Sequence, residues 1–308
     1  MRLYFALLGL CLATLGACTA WAAPRVVIVS SERDGAYLQA SQALVGELAR
    51  NGVNGDYVLA LSAAEVPASA PLNPRLFVAL GVAAAKVLLD ADVRAPVLCA
   101  LLPRNSFEQL MSRRAGKPAA PWSALYLDQP WSRQIGLIHL AFPQARHIAV
   151  LWGPESQQAA PSLRRLATAQ GLELLEVSAP SAEQAFEGLH EVLRGASLLL
   201  AVPDAQVYNA NSIQHILLAS FRARVPMMAF SPAYVRAGAL LALYVTPAQV
   251  GAQAAAMVLD VLRGQAMPPS QYSRDFTVSV NEHVARSLGL SLDQAALRLG
   301  LQKKEDRP

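Results

Sequence analysis

Between Leu198 and Phe230 two apolar runs each stop abruptly on a proline-containing pair. Leu198 to Val202 ends at Pro203-Asp204, and Met227 to Phe230 ends at Ser231-Pro232, with a segment of helical spacing between them. Continuously apolar runs this short, joined by a helix, are what two neighbouring parallel strands buried on both faces require. Such strands deliver their polar and small residues at their carboxyl ends, the edge at which open α/β sheets bind ligands. This pattern restricts the chain to a doubly wound α/β architecture more tightly than any other part of it.

The same grammar runs through the remainder. Strands are expected at 25–30, 56–61, 75–80 and 95–102, with helices at 36–51 and 82–90 and a short strand at 124–127. The alternation restarts with a helix at 130–141, strands at 147–152, 173–177 and 197–202, and helices at 157–170, 182–194 and 211–223. Strands at 226–230, 239–244 and 276–280 complete it. Thr246-Pro247 opens an Ala-rich helix that ends near Gly264, with Thr as N-cap and Pro in the first turn. Repeated βα units predict parallel sheets with helices on both faces. The expected organisation is an N-terminal lobe over 23–143, completed by part of 246–300, a C-terminal lobe over 144–245, and a charged, frayed tail over 301–308.

Composition supports two folded lobes. The chain has 308 residues, 54% hydrophobic and 16% charged, enough apolar material for sizeable cores. The net charge of +4 is spread along the chain with no basic stripe interleaved with aromatics, so nucleic acid is not an expected partner. Residues 1–22 read as a secretory signal: Arg2, an uncharged apolar core from Leu3 to Ala17, then small residues. Ala20-Trp21-Ala22 offers cleavage to a soluble product, whereas Leu15-Gly16-Ala17-Cys18 offers a lipoprotein box that lipidates Cys18. Cys99, inside an apolar run, reads as a buried small hydrophobe.

Enzyme signatures are missing at the places where they would stand. No G-x-G-x-x-G follows Ser30, and neither a P-loop nor a G-x-S-x-G elbow occurs. The five histidines show no metal-ligand spacing, so neither a metal nor a cofactor is expected. What remains is a set of strand ends. Ser30 and Ser31 follow the first strand, Gly81, Val82 and Ala83 the third, and Trp152 and Gly153 the first strand of the second lobe. Pro203, Asp204 and Ser231 follow the two runs described first. Tyr208 and Tyr234 offer stacking surface, and Asp204 either meets a ligand or caps the helix that follows it.

The second lobe resembles a known family. Pro203-Asp204, Tyr208-Asn209, F-R-x-R-V-P at 221–226, F-S-x-x-Y-V-x-A-G-A-L at 230–240 and T-P-x-Q-V-G at 246–251 are similar to the substrate-binding proteins of ABC transporters with type I periplasmic-binding lobes, the tryptophan/tyrosine-like subgroup among them. The resemblance implies two lobes that close on a small solute, such as an amino acid or aromatic compound. It also implies an exported protein that presents the closed form to an inner-membrane permease. In the first lobe, Val82-Ala83 replaces the Thr-Pro of the family turn, and Ser123 to Gln129 (SALYLDQ) departs from the family pattern. A periplasmic sensor or partner-binding lipoprotein on the same fold is the alternative, and an exported enzyme is a third class. The enzyme reading requires an acid, base or nucleophile cluster near Asp204 and Ser231.

Overall fold

A computed structural model of the chain describes residues 25–66, 72–113, 116, 118–179 and 182–305. The expected signal segment, its cleavage positions and Cys18 lie outside the described residues.

Two six-stranded sheets organise the chain, each with helices on both faces. The first is built from β1 (Val26–Ser30), β2 (Val58–Ser62), β3 (Leu76–Leu80), β4 (Val97–Leu102) and β5 (Trp122–Tyr126). α1 (Gly35–Arg50), α2 (Val82–Asp90) and α3 (Arg104–Ser112) connect them. The second sheet follows α4 (Trp131–Ala141) and contains β6 (His147–Trp152), β7 (Glu173–Ser178), β8 (Leu198–Leu200), β9 (Met227–Ala229) and β10 (Leu241–Tyr244). Its connecting helices are α5 (Ala160–Ala169), α6 (Ala182–Leu193), α7 (Ile213–Arg222) and α8 (Pro232–Ala237). The chain then returns to the first lobe for α9 (Pro247–Leu262) and β11 (Gln271–Tyr272). It crosses back for β12 (Thr277–Val280), α10 (Glu282–Ser287) and α11 (Gln294–Glu305).

Sheet order is β11-β5-β4-β3-β1-β2 in one lobe and β12-β10-β9-β8-β6-β7 in the other. All pairings are parallel except β10 with β12. The buried strands show why their sequences lack alternation. Val26 and Ile28 of β1 face a core shared with α1 and α9, while Val27 and Val29 face the opposite core under α2. Leu198 and Leu200 of β8 enter one core of the second lobe and Leu199 the other. Both faces of these strands are dry, so Val26–Val29 and Leu198–Leu200 are apolar throughout. Cys99 in β4 is fully buried in the same way, and burial pushes its thiol pKa up.

Two boundaries differ from the sequence reading. α4, placed before the expected boundary at 143, packs Ile135, Leu137 and Ile138 into the second lobe's core beside Leu297 and Leu301 of α11. The segment expected to fray after residue 300 is helical through Glu305, because Leu301 is anchored in that core at 1% exposure. The chain therefore crosses between lobes three times, at 127–130, 245–246 and 273–276.

Polar side chains tie these crossings together. Arg133 of α4 donates through Nη1 to Gln129 Oε1 at 2.6 Å and to the Ser273 carbonyl at 2.9 Å, and its Nε meets Glu305 Oε1 at 2.5 Å. Its guanidinium also lies 4.7 Å from the Phe276 ring centre. Gln249 closes a capping box with Thr246, and its Oε1 also accepts from Thr277 at 3.3 Å. Gln253 Oε1 accepts from Ser273 Oγ and the Arg274 amide. Each crossing is thus hydrogen-bonded to a neighbour.

Candidate functional site

The carboxyl ends of the two sheets face each other across a cleft of about 500 Å³. From the first lobe it is lined by Pro103, Arg104, Asn105 and Glu108 at the start of α3, by Leu127, Asp128 and Gln129 in the first crossing, and by Tyr272 of β11. Trp131 and Gln134 of α4 continue the wall. The second lobe contributes Ser156, Gln158, Ala159 and Ser162 after β6, Val202 and Pro203 after β8, Phe230 after β9, and Leu243 of β10. Asn105 Nδ2 donates to the Glu155 carbonyl, a hydrogen bond made directly from one lobe to the other.

The electrostatics of the first-lobe wall are set by four side chains. Asp128 Oδ1 accepts the backbone N–H of Arg104 at 2.7 Å, so its carboxylate stands at the N-terminus of α3. Burial raises the Asp128 pKa, opposed by its hydrogen bond from the Arg104 amide. The Arg104 guanidinium reaches Tyr272 Oη at 3.4 Å and Glu108 Oε1 at 2.7 Å, and these bonds raise its pKa. Burial raises that of Tyr272.

Two glutamines occupy the floor. Gln129 is 5% exposed, and its Oε1 is fixed toward Arg133, which can only donate. The amide orientation follows, and Nε2 is left as a buried donor with no partner. Gln134 donates its Nε2 to the Gln129 carbonyl at 2.9 Å.

In the second lobe Asp204 shapes the wall from behind. Its Oδ2 accepts from the Glu155 amide, the Ser156 amide and Ser156 Oγ, each at 2.9 Å, and Oδ1 accepts from the Gln206 amide at 3.0 Å. Asp204 is 3% exposed and pressed against Gly153, where a Cβ would collide with the carboxylate. The Gly153–Ser156 turn can pass over Asp204 only without a side chain at 153.

A family model for ABC transporter substrate binding proteins matches residues 69–304, most of both lobes. The chain belongs to that family. Its members are solute-binding proteins, and the two-lobe α/β fold with a facing cleft is the architecture of its structural neighbours. No curated protein matches the chain. Among solved structures it is similar to a substrate-binding protein with adhesive properties from Clostridium difficile, in a ligand-free, open structure. That likeness has a TM-score of 0.71 and 19% identity over 87% of this chain and 95% of that one. A conserved domain protein from Vibrio cholerae gives a TM-score of 0.63 and 20% identity over 90% and 98%. An ABC domain from Streptococcus pneumoniae in complex with L-Trp gives 0.60 and 18% over 88% and 97%.

Of the twelve candidate residues read from the sequence, Pro203 lines the cleft. Ser30 and Ser31 lie on the same sheet edge but outside it. Ser31 Oγ accepts from the Ala84 amide at 3.1 Å and stands against Gly81, where an added Cβ would approach it to 2.5 Å. Val82 and Ala83 begin α2 as exposed residues. Trp152 is 2% exposed in the core and donates to Glu176 at 2.8 Å. Gly153 and Asp204 act on each other as described. Ser231 caps α8 by accepting from the Ala233 amide.

Tyr208 and Tyr234 sit behind Phe230, with ring centres 6.0 and 5.0 Å from it, and hold its ring edge-on at the cleft wall. Tyr234 donates to the Tyr208 carbonyl at 3.1 Å. Burial raises the Tyr208 pKa, and its hydroxyl finds no partner. Sequence reading missed Arg104, Asp128, Gln129, Trp131 and Gln134. For Asp128 and Gln129 a signal is present in the sequence, since both lie in 123–129, the stretch that departs from the family pattern; Arg104, Trp131 and Gln134 carry none. Among the described residues no group of three or more His, Cys, Asp or Glu side chains converges on a metal position, and no helix is long and apolar enough to cross a membrane.

Proposed function

We propose that this protein is the exported solute-capturing component of an ABC transporter, holding a small molecule between its lobes by hinge closure. One observation carries the reading: a cleft of about 500 Å³ lined by both sheets' carboxyl ends, between lobes joined by three crossings. That volume suits a metabolite-sized ligand. Ligand contacts present only when both walls engage would favour the closed state over the open one. The protein acts by binding, with no bond made or broken, and its closed form is what an inner-membrane permease recognises. The apolar segment at the N-terminus supports export.

Native mass spectrometry of protein purified without refolding, followed by a thermal-shift screen of amino acids, purines and sugars, tests this. A bound metabolite, with compaction in small-angle scattering when it is added, is the expected result. A flat response across all three classes and across organic amines, with no co-purified metabolite, would sink the transport reading.

A further inference from the structure

The chain supplies its own carboxylates at the backbone amides that flank the cleft. On the first-lobe side the leading N–H of α3 is taken by Asp128 at 2.7 Å. On the facing side the Glu155 and Ser156 amides are both taken by Asp204 at 2.9 Å. Amides in such positions are ready anion sites, and here the Arg104, Glu155 and Ser156 amides are each taken by a carboxylate of the chain itself. The first turn of α4 follows Asp128 by only three residues, so an anion bound there would sit in the field of a like charge.

The charges lining the cleft point the same way. Among the described lining residues two carboxylates, Asp128 and Glu108, accompany one guanidinium, that of Arg104, which is already held by Glu108 and Tyr272. The hydrogen bond that Asp128 accepts from the Arg104 amide goes to Oδ1, and the next residue, Gln129, has in Nε2 a buried donor with nothing to donate to. A buried polar atom without a partner costs free energy that a ligand atom can recover. Trp131, Phe230 and Leu243 give the cleft an apolar stretch of wall, and its other polar lining, Ser156, Gln158 and Ser162 among it, carries no formal charge.

Resting on the solute-binding reading, we propose that the cleft selects a ligand whose polar end is a protonated nitrogen without an adjacent carboxylate. Asp128 is its counter-charge, Gln129 Nε2 donates to a neutral oxygen of the same ligand, and an apolar or aromatic body lies against Trp131, Phe230 and Leu243. The class is an organic amine or amidine, as opposed to an amino acid or an organic acid.

A charge-matched panel tests this by titration calorimetry on the intact protein. For each of several bodies (indole, phenol, phenyl, isobutyl), the amine, the α-amino acid and the carboxylic acid are compared. Binding should concentrate in the amine arm, at least about tenfold tighter than the matched amino acid. Asp128→Asn, which keeps an acceptor for the Arg104 amide, should erase that preference. Preferential binding of amino acids or acids overturns the proposal, as does amine binding indifferent to Asp128→Asn. The wild-type panel decides the charge class even where the variant folds poorly. A panel silent in all arms while sugars or purines bind rejects the amine class and leaves the solute clamp standing. Silence toward every compound rejects the clamp itself.

Discussion

Arg133 donates to Gln129 Oε1 at 2.6 Å, and this bond orients the Gln129 amide so that its Nε2 is the atom left unpaired in the cleft floor. The same guanidinium holds the Ser273 carbonyl at 2.9 Å, so one side chain joins two of the three crossings and orients a cleft-lining amide. Asp128, adjacent to Gln129, lines the same cavity, which ties the crossings to the wall of the cleft.

Arg133→Met should therefore be costly. It orphans Gln129 Oε1 and the Ser273 carbonyl, both buried, and leaves Glu305 without its partner, for a loss of about 2–4 kcal/mol in chemical denaturation. Arg133→Lys should recover only part of this, since a point charge cannot serve the planar fork's several acceptors. A loss below about 1 kcal/mol for the Met variant would contradict the role assigned to this clasp.

Gly153→Ala places a methyl group into the Asp204 carboxylate and should destabilise by about 1–3 kcal/mol. Because the clash is with one side chain, Asp204→Ala in the same chain should relieve it. The double variant should cost less than the sum of the singles, as a double-mutant cycle reads directly. Additive costs would show that Asp204 is not what excludes a side chain at 153.

Gly251→Ala tests the packing of α9 on α1. A Cβ at 251 would meet the Ala40 carbonyl oxygen, with Ala43 Cβ at 2.9 Å, so the helices must separate. The expected cost is about 1–3 kcal/mol or more, through overpacking of rigid backbone. Unfolding should show it as a lowered midpoint in the lobe that contains both helices.

The Asp128 carboxyl gives a prediction with pH. Its folded pKa is raised by burial, so folded protein holds the proton more tightly than unfolded protein does. Stability from this group is thus greatest in acid. It is lost as pH rises from the unfolded value of about 3.9 through the higher folded value. Asp128→Asn removes that loss. Its midpoint relative to the parent should rise between pH 4 and pH 7, while the variant binds amines less well. A midpoint difference that stays constant with pH would remove the burial argument.

The fold was largely legible because its strands are buried on two faces. A strand such as Leu76–Leu80 has no exposed face to carry polar residues, so it appears as an unbroken apolar run, and Gly81 marks its end. β11 escaped notice for the converse reason: two residues, Gln271 and Tyr272, become a strand only because β5 lies beside them. α11 was read partly as a tail since its last turn is charged, yet Leu297 and Leu301 on one face lock it to α4.

The site was less legible. The sequence offers Tyr208 and Tyr234 as stacking surface, but the ring that lines the cleft is that of Phe230, against which both pack. Asp204 has the right chemistry for a ligand contact, and the turn at 153–156 consumes it. Sequence order could not reveal that residues about fifty positions apart would exhaust each other's hydrogen bonds.

Local patterning, then, determined the strands, most helices, the doubly wound class and membership of an ABC substrate-binding family, since each of these depends on periodicity or on motifs short enough to read along the chain. Tertiary structure alone decided which polar groups are spent and which remain free. Asp204 was turned inward as a support, Asp128 was placed at the head of α3, and Arg133 fixed the Gln129 amide. Those outcomes depend on through-space partners from separate segments of the chain, and the leftover hydrogen-bonding capacity they define is what the cleft has to offer a ligand.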